Sequence, residues 1–220
     1  MTKQFWGILA VIVLLLGGLF VLTNNKKASA PSAATSPTSH IFGSSSTGVK
    51  LQEYGDYQCP ACGEFYVAVK QVEDKYKDQI QFQFSNLPLT QLHPNAFAAA
   101  RAAEAAGKQG KYFEMHDALY QNQQAWNTST NAETIFANYA SQLGLNVTTF
   151  KADYSSAAVN DAINADVSAF KKTGEPMATP TFFLDGKKLD NSTLTDASGI
   201  PSADKFYQLI DAAIAARAKH

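Results

Sequence analysis

Cysteine is nearly absent from this chain: 220 residues hold two, Cys59 and Cys62. That scarcity excludes a disulfide-dense scaffold, and a chain of this size can build a core without a covalent staple. A cationic surplus is also lacking, since 18 Lys+Arg stand against 19 Asp+Glu for a formal net charge of -1. Broad electrostatic docking onto nucleic acid would need a clear excess of Lys and Arg. The four histidines (His40, His93, His116 and His220) show no tight pairing, and there is no second cysteine pair. Tetrahedral zinc generally wants four ligands, so a metal centre is poorly supplied. Internal repeats are missing as well. What remains is a 45% hydrophobic chain long enough for one domain, or one domain with an insertion.

Charge is missing altogether from Phe5 to Leu22, which reads FWGILAVIVLLLGGLFVL. As a helix this run is about 27 Å long, close to the hydrocarbon thickness of a bilayer. Its length favours an uncleaved anchor over residues 1–27. The alternative is a cleaved signal sequence, with ASA at 28–30 as the processing site. Lysines flank both ends and leave orientation open. Either reading exports the remainder, where disulfides persist; the anchor reading expects a single-pass cell-membrane protein with its folded domain on the extracytoplasmic side. Residues 28–47 have few apolar side chains and many Ser, Thr, Ala and Pro. They read as a flexible spacer, with His40-Ile41-Phe42 as the one candidate piece of a first strand.

The domain proper is expected over 48–220. Val49, Leu51 and Glu53 alternate on one face of a strand, so Glu53 faces inward. Phe65, Val69, Val72 and Tyr76 recur at helical spacing just after the cysteines, and Pro60 suits a helix's first turn. IQFQFS at 80–85 reads as a second strand. An alanine-rich helical block follows, broken at Gly107 and Gly110, with helices at about 132–143 and 158–172. Strand character returns in TPTFFLDGKKLD, with Asp185-Gly186 as a hairpin turn, and a helix carrying Phe206, Leu209, Ile210 and Ile214 closes the chain. The order β-α-β, helices, β-β-α gives an α/β sheet covered by helices, with a helical insertion over about 91–170.

Cys59-Pro60-Ala61-Cys62 therefore falls where a strand hands over to a helix. A helix N-terminus favours the thiolate through its free N–H groups and dipole. In that geometry Cys59 is the outward-facing nucleophile and Cys62 the partly buried resolving thiol. A structural disulfide across so short a loop would remove little chain entropy, and a metal site lacks ligands. Cys-x-x-Cys between strand and helix points to redox chemistry. Asp56 is assigned no role beyond the loop, and His93 and His116 read as capping or packing residues.

EYGDYQCPACGEFY, then LHPNAFAAARAAEAAGKQGKYFEMHDALYQNQQAW, then ATPTFFLDGK resemble, in order, landmarks of the DsbA-like thiol–disulfide oxidoreductases. The resemblance spans roughly residues 41–220. It implies a thioredoxin fold with an inserted helical domain and a redox-active Cys59–Cys62 disulfide, without a prosthetic group. It makes Thr179-Pro180 a cis-proline pair facing the cysteines and binding substrate backbone. It places Glu53 as a buried acid beneath them, exchanging a proton with Cys62. The implied partners are reduced exported proteins and a membrane reoxidase resembling DsbB or a vitamin K epoxide reductase homologue. Pro60 and Ala61 tune the site, and here the sequence departs from the best-known strongly oxidising members, which carry Pro-His between the cysteines. Ala61 leaves the direction of electron flow open between an oxidase and a reductase or isomerase. A metal-binding or peptide-holding chaperone is the remaining alternative.

Overall fold

A computed structural model describes residues 36–219. The apolar run at 5–22 lies outside the described residues. Among the described residues no helix is long and apolar enough to cross a membrane.

Five strands form one sheet in the order β1-β3-β2-β4-β5. They are β1 (His40–Phe42), β2 (Val49–Gly55), β3 (Ile80–Asn86), β4 (Thr181–Leu184) and β5 (Lys187–Lys188). β2 and β3 run parallel, Val49 opposite Ile80 and Gly55 opposite Asn86, while β4 lies antiparallel to β2. A parallel pair needs a crossover, and α1 (Pro60–Tyr76) supplies it. Its expected stripe of Phe65, Val69, Val72 and Tyr76 is buried. Phe65 meets Phe182 of β4 and Phe206, so one aromatic cluster joins sheet and flanking helices.

The helical block comprises α2 (Ala96–Gly107), α3 (Tyr112–Gln121), α4 (Gln123–Trp126), α5 (Ala132–Gln142), α6 (Val147–Tyr154) and α7 (Ala157–Lys172). The alanines of α2 let neighbouring helices approach closely, and Ala99, Ala102, Ala103, Ala105 and Ala106 are fully buried. Phe170 of α7 packs edge-on against Tyr54 with ring centroids 5.0 Å apart. The insertion thereby covers the second face at the carboxyl end of β2, where Glu53, Tyr54 and Gly55 are all buried. Helix α8 (Ala203–Arg217) closes the fold. Asp185 and Gly186 both take positive φ, 50° and 80°, as the β4–β5 turn requires.

One boundary differs from expectation. The spacer drawn over 28–47 is part of the folded domain from Thr38 onward. β1 pairs antiparallel with the otherwise open edge of β3, His40 opposite Phe84 and Phe42 opposite Phe82. The polar residues around it tie themselves down through their own donors. Thr38 N–H and hydroxyl both donate to Asp166, each at 2.7 Å. Ser46 and Thr47 hydroxyls donate to the carbonyls of Asp78 and Gln79. Ser/Thr-rich composition looks like a tether when those donors have no visible acceptors.

Candidate active site

Cys59 is the N-cap of α1, with Pro60 in the first turn. Its own N–H donates to the Asp56 carbonyl at 3.0 Å, and its carbonyl accepts from Gly63 N–H at 3.2 Å. Both cysteines are free thiols. Cys62 is completely buried and Cys59 is 7% exposed, so the nucleophile is far more sheltered than an outward-facing thiol would be. What shelters it comes from the far end of the chain. The Thr179-Pro180 peptide is cis, and the Cys59 thiol donates to the Thr179 carbonyl at 3.5 Å. Asn191 Nδ2 holds the Pro180 carbonyl at 2.8 Å. Beside this proline runs an open cleft of about 450 Å³, lined by Ala178, Thr181, Lys188 and Asn191.

The two sulfurs titrate in opposite directions. Donation from the Cys62 thiol pulls Cys59 down to about 6, helped by the Thr179 side chain and the Cys62 N–H against the opposing effects of burial and of Asp56. In the thiol form the Thr179 hydroxyl is buried without a partner, so ionisation of Cys59 supplies the acceptor it lacks. Burial pushes Cys62 well above the ordinary thiol range, and the Cys59 and Glu53 charges push it further. Glu53 is 2% exposed, with one carboxyl oxygen unpartnered. Burial raises it well above the usual carboxylate range, followed by Glu73 and Cys59, so its protonated form is favoured.

Positions 56–59 are held by the helical insertion and the loop leading to it. Gln123 of α4 is buried, and its Nε2 donates to the carbonyls of Tyr57 at 2.7 Å and Cys59 at 2.9 Å. A Cβ on Gly63 would stand 2.9 Å from Gln123 Oε1, so glycine there leaves room for this clamp. The Gln58 side chain accepts from Asn95 N–H and donates to the Asn127 carbonyl, both at 2.6 Å.

Comparison with known proteins matches residues 35–200 to the Thioredoxin_4 family model, described as thioredoxin. The chain belongs to the thioredoxin superfamily. Its fold is DsbA-like. A thioredoxin-like oxidoreductase from Silicibacter pomeroyi superposes with a TM-score of 0.62 at 25% identity, over 80% of this chain and 91% of that one. Wolbachia pipientis α-DsbA1 superposes with a TM-score of 0.67 at 22% identity, over 83% and 94%. A Na(+)/H(+) antiporter, NhaA 1 of Mycobacterium sp. (strain KMS), is 35% identical over 156 residues, covering 68% of this chain but 24% of the antiporter. The chain thus spans about a quarter of the length of the curated relatives it matches, and antiport is a property of those proteins.

The thioredoxin fold brings together Cys59, Cys62, Thr179 and Pro180, and Glu53 is buried close enough to act electrostatically on both sulfurs. Pro60 is exposed and Ala61 half-buried at the start of α1, and neither side chain offers the thiolate a donor. Asp56, assigned no role from sequence, is 1% exposed and hydrogen-bonded to Gln58, Leu89 and His93. His93 is its hydrogen-bond partner through Nδ1 rather than a cap. The packing reading of His116 holds, since it is buried among Tyr57, Phe84 and Tyr120. Gln58 and Gln123 carried no signal, because a lone glutamine forms no motif.

Proposed function

We propose that this protein is an exported thiol–disulfide oxidoreductase, anchored through residues 5–22, that introduces disulfides into reduced secreted proteins. The supporting observation is the asymmetry of the two sulfurs: Cys59 favours the thiolate and Cys62 the thiol. A substrate thiolate attacks the Cys59–Cys62 disulfide at Cys59. The new bond joins substrate sulfur to Cys59, and the S–S bond breaks toward Cys62, which takes a proton from Glu53. A second substrate thiol, deprotonated to solvent, then attacks the substrate sulfur of the mixed disulfide and expels Cys59 as thiolate. Two electrons pass to the protein and one disulfide forms in the substrate. A membrane disulfide donor resembling DsbB or a vitamin K epoxide reductase homologue takes those electrons back. No prosthetic group enters this scheme.

The cis-Pro180 strand end and its cleft would hold the substrate backbone next to Cys59, with Thr179 contacting both peptide and sulfur. A thiolate-stabilising site makes the reduced form the more stable one, which is the property of an oxidant. Ala61 favours a second reading, a reductase or isomerase. Oxidised protein mixed with an excess of reduced dithiol peptide should form one peptide disulfide for every two protein thiols that appear. Cys59→Ser should abolish this, whereas Cys62→Ser, mixed as the free thiol with the peptide disulfide, should hold the mixed disulfide: Cys59 joins one peptide sulfur, the other leaves as thiolate, and Cys62 is not there to displace the first. Peptide oxidation at the full rate by Cys59→Ser would remove the proposal.

A further inference from the structure

Asp56 precedes the redox pair by three residues, and its main chain is hydrogen-bonded to the first member. Its carbonyl accepts the Cys59 N–H at 3.0 Å, and its N–H bears on the Cys62 sulfur. Its side chain is anchored as firmly. Oδ1 accepts from Gln58 N–H at 2.8 Å, and Oδ2 accepts from Leu89 N–H at 2.9 Å and from His93 Nδ1 at 2.7 Å. A carboxylate can only accept, so the proton in the last contact sits on Nδ1. His93 lies in the loop between β3 and α2, with a side chain 19% exposed, whereas the Asp56 side chain is fully buried.

A carboxylate this close to Cys59 opposes its ionisation, and Asp56 does act on Cys59 in that sense. Each donor on the carboxylate draws negative charge away from the sulfur. Of the three, two are backbone amides that only a proline would remove, and the third is the His93 imidazole.

We propose that His93, through its hydrogen bond to Asp56, is a positioning residue for the Cys59–Cys62 couple: it holds the residue whose main chain is hydrogen-bonded to Cys59 and offsets the carboxylate charge beside that sulfur. This rests on the reading of Cys59–Cys62 as a redox couple. Electrostatic support from outside the motif also bears on Ala61, since a donor absent between the cysteines is replaced from a neighbouring loop.

The test is equilibration of the full chain with mixtures of reduced and oxidised glutathione, for wild type, His93→Leu and His93→Gln. Losing the donor should raise the Cys59 pKa, read from ultraviolet thiolate absorbance, and shift the equilibrium toward the disulfide by about threefold to tenfold. Glutamine can still donate to Asp56, so His93→Gln should stay within about twofold of wild type. If the His93→Leu variant does not fold, His93→Ala removes the donor without adding a larger apolar chain and carries the same expectation. A His93→Leu variant that unfolds at lower temperature but keeps the wild-type equilibrium overturns the inference, because His93 then only packs. A His93→Gln variant shifted as far as His93→Leu overturns it too. Wild-type protein unable to exchange with glutathione would remove the redox reading itself, a result distinct from both.

Discussion

Within the first turn of α1, Cys62 serves two ends at once. It donates to Cys59 and so lowers it to about 6, and it sits where burial keeps its own proton on. An unfolded thiol ionises near ~8.5, so the folded pKa of Cys59 is the depressed one. Reduced protein therefore has this stabilisation in full above the unfolded value and loses it as pH falls through about 6. The alkylation rate of Cys59 should rise through a midpoint near pH 6. Thr179→Val removes a donor and should move that midpoint upward. Glu53 carries the opposite sign. Its folded pKa is raised, so its penalty is absent below the unfolded carboxylate range and grows as pH rises. Glu53→Gln should match wild type in urea unfolding near pH ~4 and be more stable at and above neutrality. On the proposed transfer of a proton from Glu53 to Cys62, the same variant should slow peptide oxidation by on the order of tenfold.

Among the elements, those with strong periodicity were legible from sequence and those built on tertiary hydrogen bonds were not. The stripe of α1 and the alternation of β2 placed Glu53 inward, where it is found. α2 ends at Gly107 and α3 begins at Tyr112, as the two glycines indicated. β1 was legible only as an apolar triplet, because an edge strand of three residues draws its stability from β3 rather than from its own pattern. Gln58, Asp56 and Gln123 were opaque for a related reason: each acts by a side-chain bond to a distant backbone group. The loop after β1 shows how tightly such a segment can be fitted. Gly43 has φ +82°, and a Cβ there would lie 2.8 Å from the carbonyl oxygens of both Lys77 and Ile80. Gly43→Ala should lower the unfolding free energy by about 2 kcal/mol, measured with urea. Gly110→Ala meets open space at a similar positive φ of +76°, so only backbone strain of about 1 kcal/mol is expected.

Across the folded domain, the insertion is joined to the sheet by a buried polar knot. Asp166 of α7, fully buried, accepts from Asn86 N–H and Nδ2 at the end of β3 and from Thr38 ahead of β1. Asn86 also donates to Glu104 of α2, whose carboxylate meets His40. Asp166→Ala strands these donors and should cost about 3 kcal/mol in urea unfolding. The same joint steadies the carboxyl end of β2 and β3, from which the loop to Cys59 departs. Insertion and redox loop are then parts of one support: Gln123, Asn95 and His93 reach the loop from the far side of that joint. The central claim is that this support serves an oxidant. Its most direct test is the reduction potential of the Cys59–Cys62 couple, obtained by equilibration with glutathione. An oxidant should show a potential less negative than about −200 mV, whereas a value at or below about −270 mV would mark a reductant and contradict that claim.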